Sequence, residues 1–439
     1  MRLFGTDGVR GVANQDLTPE LALSLGRAAA RVLGGGERAR ILVGRDTRLS
    51  GPMLESALAA GLMSAGAEVI LAGVLPTAGV AYLTKGHGFS AGVMISASHN
   101  PVADNGIKFF AADGHKLPDA VEDAVEEEMR CARPDPVGEG VGTRLSDAAL
   151  REEYLAHLTE LVGTPYGGGV VLDAAHGAAT AVLPFAFSPA ARRVAVLCAE
   201  PDGKRINVGC GSTSPDYLRT HFRAFGGTVG LAFDGDADRL IAVDEEGEVC
   251  DGDVILALLA TWLKTRGELL PAAVALTVMS NGGVRDFLAG EGIRCVETRV
   301  GDRYVIEAMR GQNILLGGEQ SGHIIYRPAS TTGDGLATGL LLLSALAETG
   351  VRLADFRRRI PHYPQRLKSV RVADREAALG SPRYAETLAA AEAGLAGVGR
   401  VLVRPSGTEP VVRVMVEATR EEIADRWLEE LCEALLQKV

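Results

Sequence analysis

Short apolar runs alternate with amphipathic stretches along most of this chain. Ile41-Leu42-Val43-Gly44, Val69-Ile70-Leu71 and Ala91 to Ile95 are apolar without alternation, the pattern of strands buried on both faces. Thr18-Pro19-Glu20 supplies an N-cap, a first-turn proline and an early acid; apolar residues then follow at helical spacing to Val32, where Gly34-Gly35-Gly36 ends the run. A helix is predicted there, and another from about Pro52 to Ala65. The pattern restarts with strands at Val170 to Asp173, Val194 to Cys198, Gly230 to Phe233 and Leu240 to Val243. It restarts again after Asp253, with a helix to about Lys264 and strands at Val274 to Val278 and near Ile293 and Ile314. After Gln365 it changes: Arg371-Val372, Arg400 to Val403 and Val411 to Val416 are strand-like, and an amphipathic helix closes the chain from Arg420 to Leu436.

Strands alternating with helices predict parallel or mixed α/β layers whose ligand loops lie at the strands' carboxyl ends. A chain of 439 residues exceeds one hydrophobic core, and length suggests about three domains with four allowed. The expected class is α/β, with three similar mixed α/β domains (1–150, 151–252 and 253–365) and a smaller C-terminal α+β domain (366–439).

Composition narrows the chemistry. Hydrophobic residues at 47% and charged residues at 23% are the balance of a soluble globular protein. A net charge of -11 argues against nucleic acid or anionic membrane as partner, though a local cluster of Arg and Lys would still admit an anionic substrate. The six cysteines show no C-x-x-C pair and read as reduced structural thiols. No apolar signal core opens the chain, and the apolar run near Leu340 to Leu346 is too short for a bilayer, so a cytoplasmic location is expected.

Five stretches carry candidate chemistry. Phe4 to Gly11 sets three glycines around Asp7 and Arg10, a tight loop presenting Arg10. Ser96-Ala97-Ser98-His99-Asn100-Pro101, continued to Lys108, is predicted as a loop at a strand's end, where Ser98 offers a hydroxyl. In extended chain an adjacent His99 is poorly placed to deprotonate it, so a Ser/His hydrolase is not indicated. Asp234, Asp236 and Asp238, at alternate positions of extended chain, would concentrate like charge on one side and call for a hard cation such as Mg²⁺ or Ca²⁺. An EF-hand is disfavoured because Arg239 occupies its required glycine and the flanks read as strands. Gly317 to His323 places Glu319, Gln320, Ser321 and His323 in a glycine-rich loop suited to sugar hydroxyls. Arg404-Pro405-Ser406-Gly407-Thr408 combines a guanidinium, two hydroxyls and an approachable N–H, the donors of a phosphate clamp.

In this order and spread, the last four motifs resemble the α-D-phosphohexomutase superfamily over essentially the whole chain. The opening Phe4 to Gly11, the stretch from Ile206-Asn207 to Cys210-Gly211-Ser212-Thr213, and Glu319-Gln320-Ser321 are similar to its bacterial phosphoglucosamine mutase branch. The resemblance implies four domains around a central cleft. It makes Ser98 a phosphoserine, and makes Asp234, Asp236 and Asp238 ligands of one Mg²⁺ together with a phosphoryl oxygen on Ser98. Arg10, Lys108 and Arg239 would surround that group, Lys108 being the preferred proton-transfer residue, with His99 and His323 as supporting donors. Glu319 and Ser321 would hold sugar hydroxyls; Arg404, Ser406, Gly407 and Thr408 would hold the other phosphate. The implied reaction interconverts glucosamine 6-phosphate and glucosamine 1-phosphate through glucosamine 1,6-bisphosphate, supplying UDP-N-acetylglucosamine and cell-wall synthesis. A phosphomannomutase or phosphoglucomutase is the neighbouring alternative. The implied partner is a small phosphosugar, with a homodimer left open.

Overall fold

The computed structural model describes residues 2–5, 7–405 and 411–436. They form two compact units, one of Met1–Met279 with Gly292–Arg357 and one of Ser280–Glu291 with Arg358–Val439.

The larger unit holds three sheets. The first orders its strands Val9–Val12, Asp104–Ala111, Ala91–Ile95, Arg40–Arg45, Glu68–Val74 and Thr143–Ser146; the first two junctions are antiparallel and the rest parallel. Strand Ala91–Ile95 and residues 41–44 of its neighbour are apolar and buried, the pattern of strands covered on both faces. Helix Pro19–Leu33 begins where the Thr18 hydroxyl accepts the Leu21 N–H at 3.2 Å, and Pro19 occupies the first turn. The second sheet runs Val249–Cys250, Leu240–Val243, Val229–Phe233, Tyr166–Asp173, Ala191–Leu197, and the third Arg294–Thr298, Ala273–Thr277, Leu316–Gly318, Ile324–Tyr326. Each mixes parallel with antiparallel neighbours, as the α/β pattern predicts.

Helix Gly335–Thr349 is buried from Gly335 to Leu346, which explains the apolar run inside it. No single helix among the described residues is long and apolar enough to cross a membrane. In the smaller unit, Gln365–Arg371, Val411–Ala418 and Gly399–Pro405 form an antiparallel sheet. Buried Tyr384, Trp427 and Leu431 pack in the core that this sheet shares with the helices Pro382–Leu395 and Glu421–Leu436.

Two local expectations are corrected. Arg10 lies on a strand rather than in a tight loop, paired with Gly106. Residues 104–108 likewise extend as strand, with Lys108 opposite Met94. Polar Asn105 and Lys108 read as loop residues because their partners lie elsewhere in the chain: Ser50 for Asn105, carboxylates for Lys108.

Candidate active site

Ser98 follows the strand Ala91–Ile95 at its carboxyl end and sits in the left-handed region at φ 53°. That backbone turn breaks the alternation expected of extended chain and brings His99 Nδ1 to 3.2 Å from the Ser98 hydroxyl. Several fixed donors hold the turn. The Ser96 hydroxyl accepts the Ser98 N–H at 2.8 Å and donates to Asp46 at 2.7 Å. Arg48, fully buried and ion-paired with Asp46, donates to the carbonyls of Ser98, Asn100, Pro101 and Asp104 at 2.5 to 3.0 Å. Asn207 donates to the same Ser98 carbonyl at 2.9 Å.

The three aspartates occupy the turn between the antiparallel strands Val229–Phe233 and Leu240–Val243. Extended alternation is not what gathers them: Ala237 at φ 60° and its N–H bond to the Asp234 carbonyl fold the segment back on itself. Strand flanks also bear out the rejection of an EF-hand. At Gly235 any Cβ would stand 2.5 Å from the Ser98 carbonyl, so glycine lets the two loops touch. The Ser98 hydroxyl thereby donates to Asp234 Oδ2 at 2.6 Å.

The Lys108 ammonium reaches Asp236 at 2.9 Å, Asp7 at 3.0 Å and Asp238 at 3.9 Å. Burial opposes its charge, but these three carboxylates outweigh it and raise its pKa. Burial drives the Asp234 carboxyl well above the usual carboxylate range, and repulsion from Asp238 and Asp236 adds to this. Burial acts likewise on Asp236, where Lys108 prevails and holds the carboxyl low. Burial, with Arg239 and Arg10 nearby, pushes the His99 imidazole down to about 4.

Asp236 Oδ2 is taken by Lys108 and by the Thr77 hydroxyl, whereas Asp236 Oδ1 and Asp238 Oδ1 are buried without a hydrogen-bond partner among the described residues. One carboxylate oxygen from each of the three aspartates lies within 4.8 Å of the others. Orphaned hard donors at that separation fit a divalent cation.

Around them, Arg239 Nε stands 3.9 Å from Asp238, and His323 Nε2 lies 3.8 Å from Asp238 and 3.7 Å from Asp302. Arg10 pairs with Asp7 and reaches Asn100 at 3.5 Å. The Gly318 to His323 loop is the hairpin turn of the third sheet and docks through Gly322, whose carbonyl accepts the Leu240 N–H at 3.0 Å. Within it Glu319 accepts the Gly301 N–H at 3.1 Å, while Ser321 is exposed. In the smaller unit, Arg404 faces Arg413 across the sheet, and burial together with that guanidinium lowers its pKa. Two like charges on one sheet face suit an anion. Ser406, Gly407 and Thr408 lie outside the described residues.

Sequence reasoning gave no role to Arg48, Asp7, Lys116 or Asp302. Lys116 bridges Asp7 and Asp302, continuing the charged network around Lys108. Arg48 carried a faint signal, a charged loop at a strand's carboxyl end; Lys116 and Asp302 carried none.

Three family models match residues 1–134, 251–363 and 367–434: the α/β/α domain I, the α/β/α domain III and the C-terminal domain of phosphoglucomutase/phosphomannomutase. A phosphoglucosamine mutase from Moorella thermoacetica is 54% identical over 96% of both chains. The chain belongs to the phosphoglucosamine mutase branch of the α-D-phosphohexomutases. A second member of that branch, from Saccharopolyspora erythraea, is 52% identical over 97% of both chains. A solved phosphoglucomutase/phosphomannomutase family protein from Burkholderia thailandensis superposes with a TM-score of 0.84 at 25% identity, covering 99% of this chain and 97% of its own. The phosphohexomutase assignment thus agrees with the α/β class expected from the alternation of strands and helices.

Proposed function

We propose that this chain is a cytoplasmic phosphoglucosamine mutase that interconverts glucosamine 6-phosphate and glucosamine 1-phosphate. The observation that carries the reading is the buried Ser98 hydroxyl, 2.6 Å from Asp234 in an aspartate cluster that Lys108 and Arg239 flank through Asp236 and Asp238. A neutral serine has no need of those cations, whereas a phosphoserine of about -1.5 to -2 charges requires a cationic surround.

Asp234, Asp236 and Asp238, with a phosphoryl oxygen on Ser98, would hold Mg²⁺, which supplies charge neutralisation and polarises the moving phosphoryl group. In the first half-reaction the sugar 1-hydroxyl attacks the phosphorus of phospho-Ser98. The Lys108 ammonium gives a proton to the Ser98 oxygen as its P–O bond breaks and takes the 1-hydroxyl proton in its place, and glucosamine 1,6-bisphosphate forms. After the sugar turns around, the Ser98 hydroxyl attacks the 6-phosphate, the P–O bond to the 6-oxygen breaks, the serine proton passes by way of Lys108 to that oxygen, and glucosamine 1-phosphate departs. Arg10 and Arg239 hold phosphoryl oxygens; His99 and His323 donate to them. Glu319 and Ser321 hold sugar hydroxyls, and Arg404 with Ser406, Gly407 and Thr408 grips the phosphate that is not reacting. The product would feed UDP-N-acetylglucosamine and cell-wall synthesis.

Side-by-side turnover of glucosamine, glucose and mannose phosphates tests the substrate, and preference for a neutral hexose would overturn it. Intact mass before and after phosphatase should report one phosphoryl group on Ser98. Ser98→Ala should abolish turnover with the fold intact; unimpaired turnover would remove Ser98 from this role.

A further inference from the structure

Two cysteines and a histidine, far apart in sequence and without any zinc-type spacing, converge on the second sheet. The donor atoms of His176, Cys198 and Cys210 lie within 4.8 Å of one another. Cys210 and His176 are buried and Cys198 is half-buried.

The convergence is built into the backbone. Asp173 and Leu197 pair at the carboxyl ends of adjacent parallel strands, so His176 and Cys198 emerge side by side where α/β sheets place their ligand sites. The Ala174 N–H donates to the Leu197 carbonyl at 3.1 Å and the His176 N–H to the Cys198 carbonyl at 2.8 Å. Buried Asp173 draws in the third segment: one carboxylate oxygen accepts the Ala175 N–H at 2.9 Å and the other the Gly211 N–H at 2.8 Å, next to Cys210. His176 and Cys198 both adopt left-handed backbone, at φ 53° and 49°. Such conformations cost on the order of 1–2 kcal/mol each in a non-glycine residue and persist where the surroundings impose them.

The imidazole is also set up for ligation. Its Nδ1 lies 3.0 Å from the Glu200 carbonyl, an acceptor only, so Nδ1 carries the hydrogen and Nε2 presents a bare lone pair. A backbone carbonyl on the far nitrogen is the usual support of a metal-bound histidine.

We propose that His176, Cys198 and Cys210 form a second metal site, for a thiophilic divalent cation of the zinc class, distinct from the carboxylate triad. Two thiolates and an imidazole are the soft donors that zinc prefers and that magnesium refuses. Tetrahedral zinc, with bonds of about 2.3 Å to sulfur, sets its sulfurs about 3.8 Å apart, so the present spacing needs to contract by no more than about 1 Å. Each thiol releases its proton on binding, and three protein donors leave one position for water. The site stands behind the triad loop, since the Ala178 N–H donates to the Gly235 carbonyl at 2.8 Å and the Thr47 hydroxyl to the His176 carbonyl at 2.6 Å. Occupancy would brace both loops.

The test uses the full chain, reduced, with excess Mg²⁺ present to fill the triad. Added Co²⁺ should produce a thiolate-to-cobalt charge-transfer band in the near ultraviolet that saturates at one ion per chain, and Zn²⁺ should abolish it. Cys198→Ser, Cys210→Ser and His176→Ala should each weaken or remove the band. Absence of the band, or its survival in both cysteine variants, would overturn the proposal. The unaltered chain gives a reading that does not depend on variant folding. Zn²⁺ at ten times its dissociation constant should slow alkylation of Cys198 and Cys210 roughly tenfold while leaving exposed Cys131 unaffected. Equal alkylation with and without Zn²⁺ counts equally against the site.

Discussion

The Arg48 guanidinium donates to the Ser98 carbonyl at 3.0 Å; the same Nη2 also holds the Asn100 carbonyl, and Nη1 holds those of Pro101 and Asp104. One buried side chain therefore fixes the backbone that aims the Ser98 hydroxyl at Asp234. Arg48→Lys keeps the charge beside Asp46 but offers a point of donors instead of a fork. We expect kcat to fall by about a hundredfold with KM little changed, since a misplacement of about 1 Å has that effect. Steady-state kinetics alongside thermal unfolding will check it. A variant whose KM rises while kcat holds would place Arg48 outside this positioning role.

Lys108 could act as a proton carrier or only as a charge between Asp236 and Asp7. Arginine separates the two, because it stays charged and does not give up its proton at working pH. If Lys108 moves the hydroxyl proton, Lys108→Arg should lose at least about 10²-fold in kcat, approaching Lys108→Met. Near-normal turnover in the arginine variant would leave only the electrostatic role.

Burial and mutual repulsion make ionised Asp234 unfavourable without a cation. Magnesium at about a hundred times its dissociation constant should stabilise the chain by about 2.7 kcal/mol, read as a rise in Tm that a chelator reverses. Asp234→Asn should lose this magnesium response yet unfold, metal-free, no lower than the parent. A magnesium shift that survives in Asp234→Asn would point to binding elsewhere.

The Tyr154 hydroxyl donates to Asp334 at 2.9 Å, and the other oxygen of Asp334 caps helix Gly335–Thr349 through the Ala337 N–H. Tyr154→Phe leaves a buried carboxylate oxygen without its donor, for a loss of about 1–3 kcal/mol at neutral pH. Burial raises the Asp334 pKa, although its hydrogen bonds pull the other way. A carboxyl raised in the folded state favours folding below its unfolded pKa, and that contribution is lost as pH climbs through the folded value. Removing Tyr154 raises the folded value further. The penalty of Tyr154→Phe should therefore be greatest at neutral pH and shrink as pH falls and Asp334 takes up its proton. Urea unfolding of both chains across that range will measure it; a penalty independent of pH would mean that ionised Asp334 is not what the tyrosine supports.

Local pattern was enough for much of this protein. Uninterrupted apolar runs at Ile41 to Gly44, Ala91 to Ile95 and Gly230 to Phe233 marked strands that the fold contains, and Thr18-Pro19 marked a helix start, because periodicity and capping act over a few residues. The strings around Ser98, Glu319 and Arg404 say little singly; together with the three aspartates, in that order along the chain, they resemble one family and so became candidates.

Tertiary structure alone decided which strings meet and in what conformation. Ser98 and Asp234 touch across 136 residues of chain, through a glycine contact that no local preference encodes. Left-handed backbone at Ser98 and Ala237 overrode the extended geometry that spacing implied, because the docked loops repay the strain with hydrogen bonds. Arg48, Lys116 and Asp302 are ordinary surface residue types in the sequence. Folding buries Arg48 against carbonyls of a distant loop and leaves half-buried Lys116 and Asp302 to pair with each other, and Lys116 with Asp7.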